Sequence, residues 1–287
     1  MRRDLLDEHV MHGTIGFPVG IYDVLRERED GVIFNVHYHR EFELFIATKG
    51  GIRLQLEGET HELEEGQGLF INSGALHSTF AEQREFGFLA IVFSPEFIAA
   101  EHEELYEKYI RPMMRGQVSV PVRLDDGAIR LAHEANGYYK AQRPGFELYI
   151  KSCLTRIMAE LSENAVRMVR EEKDARLDAI KDVLDFIHEN YAETITLGDM
   201  ADREHMSREY LCRIFSEVSG QSPIVYLNRY RIMRSAELLR EGRRSISETA
   251  AKCGFNGSSY YNKLFLRYMK CTPKEYRRLS ADESAEK

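Results

Sequence analysis

An internal repeat near the C-terminal end constrains the fold of this chain more than any other feature of its sequence. The segment YLCRIFSEVSGQSPIVYL, 210–227, is followed by the similar segment YYNKLFLRYMKCTPKEYR, 260–277. The recurring positions are Leu211 with Tyr261, Phe215 with Phe265, Pro223 with Pro273, Tyr226 with Tyr276, Ala201 with Ala250 and Met206 with Phe255. Each unit has the pattern of a short helix, a tight turn, a second helix and a terminating Ser/Thr-Pro. The repeat therefore predicts two helix-turn-helix units.

The helical phase of the second helix in each unit separates an apolar side from a polar one. At about 100° per residue, the apolar sides consist of Leu211, Ile214, Phe215 and Val218, and of Tyr261, Leu264, Phe265 and Tyr268. On the polar sides, Arg213 and Lys263 can donate to guanine, Glu209 can accept from cytosine and Asn262 can pair with adenine. The predicted DNA-binding residues are Arg208, Glu209, Arg213, Ser216, Ser259, Asn262, Lys263 and Arg267.

Several other basic side chains of this region suit phosphate contacts or a solvated surface. They are Arg231, Arg234, Arg243 and Lys270, and Arg208 and Arg267 also belong to this class. For any one such residue taken alone, surface solubility is the commoner explanation.

Charge is distributed unevenly along the chain, although its formal net charge is -8. Residues 203–278 carry 16 basic and 7 acidic side chains, whereas residues 1–175 carry 20 basic and 30 acidic ones. This asymmetry indicates a basic, phosphate-facing region attached to an acidic body. The absence of a long apolar run and the acidic start predict a cytoplasmic protein without a membrane partner. The four cysteines lack C-x-x-C spacing and lie in segments that read as helical, which argues against both a disulfide framework and a zinc site formed by them.

The N-terminal half shows short alternating strands followed by helices. Residues 15–93 alternate between strand patterns and turn signals, which predicts a small antiparallel barrel. Residues 96–166 are predicted to be helical, and 167–176, RMVREEKDAR, is the predicted linker. Tyr149, Cys153, Leu154, Ile157 and Leu161 form one apolar stripe at helical spacing. The stripe fits equally a helix packed on its own barrel and a dimer interface.

The C-terminal third resembles the AraC/XylS family of bacterial transcription regulators. The similarity is carried by IHENY at 187–191, ITLGDMA at 195–201, MSREYLCRIF at 206–215, GQSP at 220–223, YLNRYRI at 226–232, AELL at 236–239, GF at 254–255, SYY at 259–261, TP at 272–273 and YR at 276–277. It implies two helix-turn-helix units joined by a helix over about 223–239, reading two consecutive major-groove segments of double-stranded DNA. Thr249, Tyr261 and Lys270 depart from the family pattern, which usually has an aliphatic residue, Phe and Gly there.

The resemblance also implies partners and a role. It favours activation, often of carbohydrate-related genes, and the predicted partners are a small-molecule effector, RNA polymerase and a second copy of the chain in a homodimer. A sugar or a sugar derivative is one candidate effector, but no residue selects a sugar.

The strand region resembles the cupin family. Gly31, His37, His39, Glu43 and Gly50 match the first cupin motif, and Gly66, Gly74 and His77 match the second, with Asn72 in place of the usual Pro. His37, His39, Glu43 and His77 occupy the positions that hold a metal in metallocupins, so a divalent transition metal is a candidate cofactor. The same four side chains are the predicted effector-binding residues, which could instead hydrogen-bond a ligand or each other.

The predicted fold is thus α+β, with a cupin-like double-stranded β-helix barrel and connector helices in 1–166, a linker at 167–176 and an all-α domain with two helix-turn-helix units in 177–287. The predicted function is a ligand-responsive, sequence-specific DNA-binding transcription regulator without enzymatic activity. Two alternatives remain at this point: a metal-dependent cupin enzyme with a helical assembly domain, and a constitutive DNA-binding factor with a silent barrel.

Overall fold

The computed structural model describes residues 12–14, 16–27, 31–167, 175–240, 242 and 244–278, with the backbone alone for Arg167. The chain divides into two compact units, Met1–Asp174 and Ala175–Lys287. A short strand ends at Arg167 and a helix begins at Ala175, so most of the predicted linker lies outside the described residues.

Eight strands of the first unit form two four-stranded antiparallel sheets. They are β1 (Val19–Glu27), β2 (Val32–His37), β3 (Phe42–Lys49), β4 (Ile52–Leu56), β5 (Glu59–Leu63), β6 (Gly68–Ile71), β7 (His77–Ala81) and β8 (Glu85–Phe93). One sheet has the order β1-β8-β3-β6 and the other β2-β7-β4-β5. Glu57 and Gly58 both have positive φ and join β4 to β5 in a two-residue hairpin. This barrel-like arrangement confirms the predicted fold class.

Strands β3 and β8 are buried on both faces, which gives the first unit two cores. Phe45, Ala47, Phe86, Phe88 and Ala90 lie on the inner face, packed with residues of the second sheet such as Leu54 and Leu63. The alternate residues Leu44, Ile46, Leu89, Ile91 and Phe93 pack on the outer face against helices. Because side chains alternate along a strand, a near-continuous apolar run is what a strand buried on both faces requires.

Helices and short strands cover the outer face of the first sheet. They are α1 (Pro95–Ile98), a π-helical turn (Tyr106–Ile110), α2 (Arg111–Met114), β9 (Val118–Ser119), α3 (Asp126–Ala141), α4 (Phe146–Glu163) and β10 (Val166–Arg167). In α4, Cys153, Leu154, Ile157 and Leu161 lie in the outer core, while Tyr149 is 54% exposed and stacks on Tyr138. The apolar stripe is therefore core packing, and its interpretation as a dimer interface is wrong for these four residues.

The second unit is helical. Its helices are α5 (Ala175–Asn190), α6 (Leu197–Arg203), α7 (Arg208–Ser219), α8 (Pro223–Arg240), α9 (Ile246–Lys252) and α10 (Ser258–Met269), followed by a helical turn at 273–278. Thr196 with Asp199 and Ser245 with Glu248 form capping boxes at α6 and α9, 49 residues apart. The repeat in the sequence is thus a repeat of helix boundaries, and it confirms the two predicted helix-turn-helix units.

Of the three departures from the family pattern, Thr249 and Tyr261 are buried and hydrogen-bonded, and Lys270 lies at a helix end. Thr249 is fully buried, and its hydroxyl donates to the Ser245 carbonyl. Tyr261 is also fully buried and donates to Ser235 at 3.3 Å, and burial raises the pKa of Tyr261 to about 12. Lys270 ends α10 with a φ of 60°, at the position where Gly220 ends α7 with a φ of 70°.

Arg231 is not a phosphate contact or a solvated charge. It is only 9% exposed, and its guanidinium donates to the carbonyls of Tyr191 and Glu193, both at 2.7 Å. A buried cation that satisfies two loop carbonyls fixes the loop between α5 and α6 on α8. Arg243 lies outside the described residues.

Among the helices described here, none is long and apolar enough to cross a membrane.

Candidate ligand site and DNA-reading helices

Four polar side chains of the barrel come from three strands and one loop. His37 and His77 are direct register partners on β2 and β7. Glu43 shares the inner face of β3 with Phe45 and Ala47, since side chains alternate along the strand. His39 lies in the loop that joins β2 to β3. The pleat and the register therefore direct all four predicted effector-binding residues to one place.

The distances within this cluster are short. The Nε2 atom of His39 is 3.1 Å from Oε2 of Glu43, and the Nε2 atom of His77 is 3.3 Å from the same oxygen. The rings of His37 and His77 have centroids 4.1 Å apart, and those of His39 and His77 are 5.1 Å apart. Glu43 is 5% exposed and His77 is 2% exposed. We call His37, His39, Glu43 and His77 the His/Glu cluster.

The second ring nitrogen of each histidine is anchored by the backbone. Nδ1 of His37 is 2.7 Å from the Asn35 carbonyl, Nδ1 of His39 is 3.1 Å from the Glu41 carbonyl, and Nδ1 of His77 is 2.9 Å from the Ala75 carbonyl. A carbonyl oxygen only accepts, so each Nδ1 donates its N–H. The three rings are thereby fixed in orientation, with Nε2 as the remaining polar atom.

The electrostatics of the cluster favour a negative charge on Glu43 beside His39, whose pKa is raised. Burial and the charges of His77 and His39 hold the pKa of His37 well below 6.5. Burial acts to lower the pKa of His39, but the hydrogen bond and charge of Glu43 outweigh it and raise that pKa. Burial acts to raise the pKa of Glu43, but His39 and His77 hold it well below 4.5. Glu43 is therefore ionised at neutral pH.

Two further residues lie beside the cluster, and the motif search did not find them. The His12 ring is 5.8 Å from that of His39, and its Nδ1 is 2.8 Å from the Tyr22 hydroxyl. Tyr22 is on β1 and packs partly against the inner core. The alternation of β1 could have indicated that Tyr22 faces inward, but no sequence signal brings His12 to the cluster.

In the second unit, α7 and α10 bury the side that the helical phase predicts to be apolar and expose the side predicted to be polar. Leu211, Ile214 and Phe215 are at most 1% exposed, and Tyr261 and Phe265 are fully buried. The exposed predicted DNA-binding residues are Arg208, Glu209, Arg213, Ser259, Asn262, Lys263 and Arg267. Both helices thus present polar side chains at matching positions of the repeat.

Some of these side chains already have partners within the domain. Arg213 pairs with Glu217 at 2.9 Å and lies 5.0 Å from the centre of the Tyr210 ring. Arg267 lies over the Tyr268 ring. Ser216 is half-buried and donates to the Gln221 carbonyl at 3.3 Å, so its hydroxyl supports the turn that ends α7. To contact a base as predicted, Arg213 would have to exchange its intrahelical partner Glu217, and the Ser216 hydroxyl would have to leave the Gln221 carbonyl.

Comparison with known proteins gives two family matches that coincide with the two units. Residues 21–177 match the model of the AraC-like ligand binding domain, and residues 200–279 match a helix-turn-helix domain. The first of these matches alone spans more than half of the chain. The chain belongs to the AraC family of transcription regulators. Membership in the AraC family confirms the resemblance inferred from the repeat.

Individual relatives resemble the chain over most of its length. The HTH-type transcriptional regulator YdeC of Bacillus subtilis is 29% identical across 96% of this chain and 97% of the relative. The HTH-type transcriptional activator RhaS of Escherichia fergusonii is 24% identical across 85% of this chain and 87% of the relative. The structure of ToxT from Vibrio cholerae aligns with 90% of this chain and 97% of its own at 16% identity and a TM-score of 0.47. The two relatives are named as transcription regulators, which agrees with the predicted regulator and not with the alternative of a metal-dependent cupin enzyme.

Proposed function

We propose that this AraC-family chain is a ligand-responsive transcription regulator whose effector binds at the His/Glu cluster. The observation that carries the proposal is the convergence of four polar, mostly buried side chains inside a domain that matches an AraC-like ligand binding domain. A buried polar cluster is costly unless it is satisfied, so a ligand or ion that binds there gains a large interaction energy. The remaining interior is apolar, as is usual around a small-molecule site.

The DNA side of the proposal rests on α7 and α10. Arg213 and Glu209 of α7, with Lys263 and Asn262 of α10, are the proposed base readers, because they are exposed on the sides away from the core. Arg208, Ser259 and Arg267 flank them as proposed backbone contacts, and Ser216 joins the base readers if it leaves its turn. Two readers on one duplex would occupy successive major-groove segments about 34 Å apart.

A difference in effector affinity between two arrangements of the chain would couple the barrel to DNA. A coupling free energy of about 1–3 kcal/mol changes DNA affinity about 5- to 150-fold, which suffices for a genetic switch. The relative named as a transcriptional activator supports activation through RNA polymerase, and the family resemblance supports carbohydrate-related target genes with a sugar or sugar derivative as effector. The proposal also includes a cytoplasmic homodimer, with the exposed Leu148 and Tyr149 of α4 available to a second copy.

The DNA-binding part is tested with the purified full-length protein. Its affinity is measured for fragments taken upstream of its own gene and of the adjacent genes, and for shuffled DNA of the same composition, at near-physiological salt. Preference for at least one genomic fragment by 100-fold or more is the expected outcome, since specific binding exceeds non-specific binding by about 10³–10⁷. Equal affinity for all fragments would refute sequence-specific regulation of the neighbouring genes.

A constitutive DNA-binding factor with a silent barrel predicts a different outcome. In that case substitutions in the His/Glu cluster leave the regulated output unchanged in every growth condition. The ligand-responsive proposal predicts that a His39→Gln/His77→Gln variant loses the response and keeps its DNA affinity.

A further inference from the structure

Two loops of the barrel fix the orientation of two histidines in the His/Glu cluster. The loop between β2 and β3 carries His39 and the Glu41 carbonyl, which accepts from Nδ1 of His39 at 3.1 Å. The loop between β6 and β7 carries the Ala75 carbonyl, which accepts from Nδ1 of His77 at 2.9 Å. The backbone N–H of Gly74 donates to the His39 carbonyl at 2.8 Å, which joins the two loops. A shift of either loop therefore turns a ring of the cluster, because the carbonyl bound to Nδ1 sets the orientation of that ring.

Arg40 connects the loop between β2 and β3 to the helices that follow the barrel. Residues 95–114 comprise α1, the π-helical turn and α2, and we call them the rim segment. The guanidinium of Arg40 pairs with the carboxylate of Glu96 and, at 3.1 Å, with that of Glu101. The buried Tyr106 donates its hydroxyl to Glu96 at 3.3 Å, so the same carboxylate is bound to the π-helical turn. One cation shared by two carboxylates forms a network, which holds its members more firmly than an isolated surface pair does.

Asn72 connects the loop between β6 and β7 to the end of the rim segment. Its Nδ2 atom donates to the carbonyl of the buried Met113 in α2 at 3.0 Å, and its Oδ1 atom accepts from the N–H of Ser73 at 2.8 Å. Proline, the usual residue at this position of the second cupin motif, has no side-chain donor and could not make the bond to Met113. The departure from the motif therefore adds a connection between the cluster and the rim segment.

The rim segment borders open space on its side toward α4. Leu105 is 57% exposed and Tyr109 is 39% exposed, and together with Met158 of α4 they line a cavity of about 490 Å³. The π-helical turn of the segment has a hydrogen-bonding pattern that is rare in proteins and frequent at functional sites. Close packing resists displacement, and here it is incomplete. The rim segment therefore has room for a second arrangement relative to α4.

We propose that Arg40 and Asn72 are positioning residues that transmit occupancy of the His/Glu cluster to the rim segment. The rings of His39 and His77 reorient around a bound effector, the loops that hold their Nδ1 atoms move with them, and Arg40 and Asn72 shift the rim segment. This segment is then the element whose equilibrium between two arrangements the effector biases. The inference rests on the proposed function in taking the His/Glu cluster as the input site.

The test measures hydrogen exchange of the rim segment by mass spectrometry, with the full-length protein and without effector or DNA. Glu43→Gln serves as the probe of the cluster, because Glu43 contacts both His39 and His77 and lies in neither loop. We expect Glu43→Gln to change exchange in the rim segment about 3-fold or more, as coupled contacts do. His61→Gln is the control, because His61 is a half-buried barrel histidine outside the cluster, 3.8 Å from Glu59. It should leave exchange in the rim segment unchanged.

The same comparison is then made in an Arg40→Gln/Asn72→Asp background. Asn72→Asp keeps the acceptor for the neighbouring N–H and removes the donor to the Met113 carbonyl. In this background Glu43→Gln should change exchange in the rim segment less than about 1.5-fold, because the two connections are absent. A purely structural role of Arg40 and Asn72 would speed exchange in the rim segment and leave its response to Glu43→Gln intact.

Arg53→Gln is the matched control for the loss of an arginine, because it breaks a partly exposed pair with Glu82 on another part of the barrel and should keep the full response. No response of the rim segment to Glu43→Gln, or an equal response with and without Arg40 and Asn72, would overturn the proposal. If the double variant folds poorly, Asn72→Asp alone is compared, with Leu105→Trp as the single tryptophan of the chain and its fluorescence as the signal. Intact coupling in a protein that responds to no effector in cells would count against the proposed function and support this inference.

Discussion

The Nε2 atom of His77 lies 3.3 Å from Oε2 of Glu43 in the interior of the barrel, without a hydrogen bond between them. Register places His77 opposite His37, and the pleat of β3 turns Glu43 inward. His39 completes the cluster from the adjoining loop. The unsatisfied buried nitrogen at this place supports the proposal that a ligand binds at the His/Glu cluster.

Arg213 should determine preference at one base pair. Arg213→Ala should lower affinity for the preferred fragment by about 1–3 kcal/mol and affect shuffled DNA much less, because a bidentate contact to guanine is sequence-specific. Fluorescence anisotropy on the two DNAs measures both. Lys252→Ala is the control, since Lys252 is an exposed cation of α9 and does not lie on α7 or α10, which carry the proposed base readers. Equal losses on specific and shuffled DNA for Arg213→Ala would assign Arg213 to the phosphates instead.

Arg231 should be a stability residue. Arg231→Met removes the donors to the carbonyls of Tyr191 and Glu193 and should lower the free energy of unfolding by about 2–4 kcal/mol. Arg234→Met, which breaks a partly exposed pair with Glu237, should cost about 1 kcal/mol or less. Urea denaturation of both variants checks the contrast. Similar small effects of the two substitutions would show that Arg231 does not secure the loop.

Lys270 should be a site of local strain. Its φ of 60° is disfavoured for a side chain with a Cβ atom, and glycine adopts it at low cost. Lys270→Gly should raise the free energy of unfolding by about 0.5–1 kcal/mol after the entropy cost of glycine. Gly220→Lys, at the matching position of the first unit, should have the opposite effect. Thermal unfolding of the two variants measures both, and destabilisation by Lys270→Gly would contradict the assignment of strain.

The capping box of α9 should contribute a pH-dependent stability. Hydrogen bonds from the side chain and backbone of Ser245 lower the pKa of Glu248 below 4.5. A lowered folded-state pKa stabilises the fold above the unfolded-state pKa, and this contribution is lost as the pH falls through the folded-state value. The difference in melting temperature between the unmodified protein and Glu248→Gln should therefore be present at pH about 7 and diminish below about 4.5. A difference that is constant with pH would rule out this contribution.

Much of this organisation could be predicted from the sequence, because it depends on periodicity. The repeat gave the two helix-turn-helix units, and the helical phase separated Phe215 and Phe265 from Arg213 and Lys263. The cupin-type spacing brought together His37, His39, Glu43 and His77, since register and pleat translate spacing into position.

The remaining features depend on tertiary packing, which spacing does not encode. In the sequence, Arg231 cannot be distinguished from the other basic residues of its helix. Only the folded structure shows that its guanidinium donates to a loop carbonyl, that of Tyr191. The stripe of α4 has the same period on a core helix as on an interface helix. His12 lies beside the cluster although it precedes β1 in the chain, and no sequence motif predicts this position. The carbonyls that accept from Nδ1 of His37, His39 and His77 belong to the backbone, so residue types do not predict these hydrogen bonds.

The most direct test of the account is a reporter assay on the promoter that the protein prefers in vitro. Output is measured in cells with the unmodified regulator, with His39→Gln/His77→Gln and with His61→Gln, on a panel of sugars and with added or chelated zinc. We predict that the unmodified protein and His61→Gln change output at least about 5-fold in one or more conditions, corresponding to about 1 kcal/mol of coupling. The double variant should bind the same promoter with unchanged affinity and give constant output. A double variant that responds as the unmodified protein does would contradict the assignment of the His/Glu cluster as the input site.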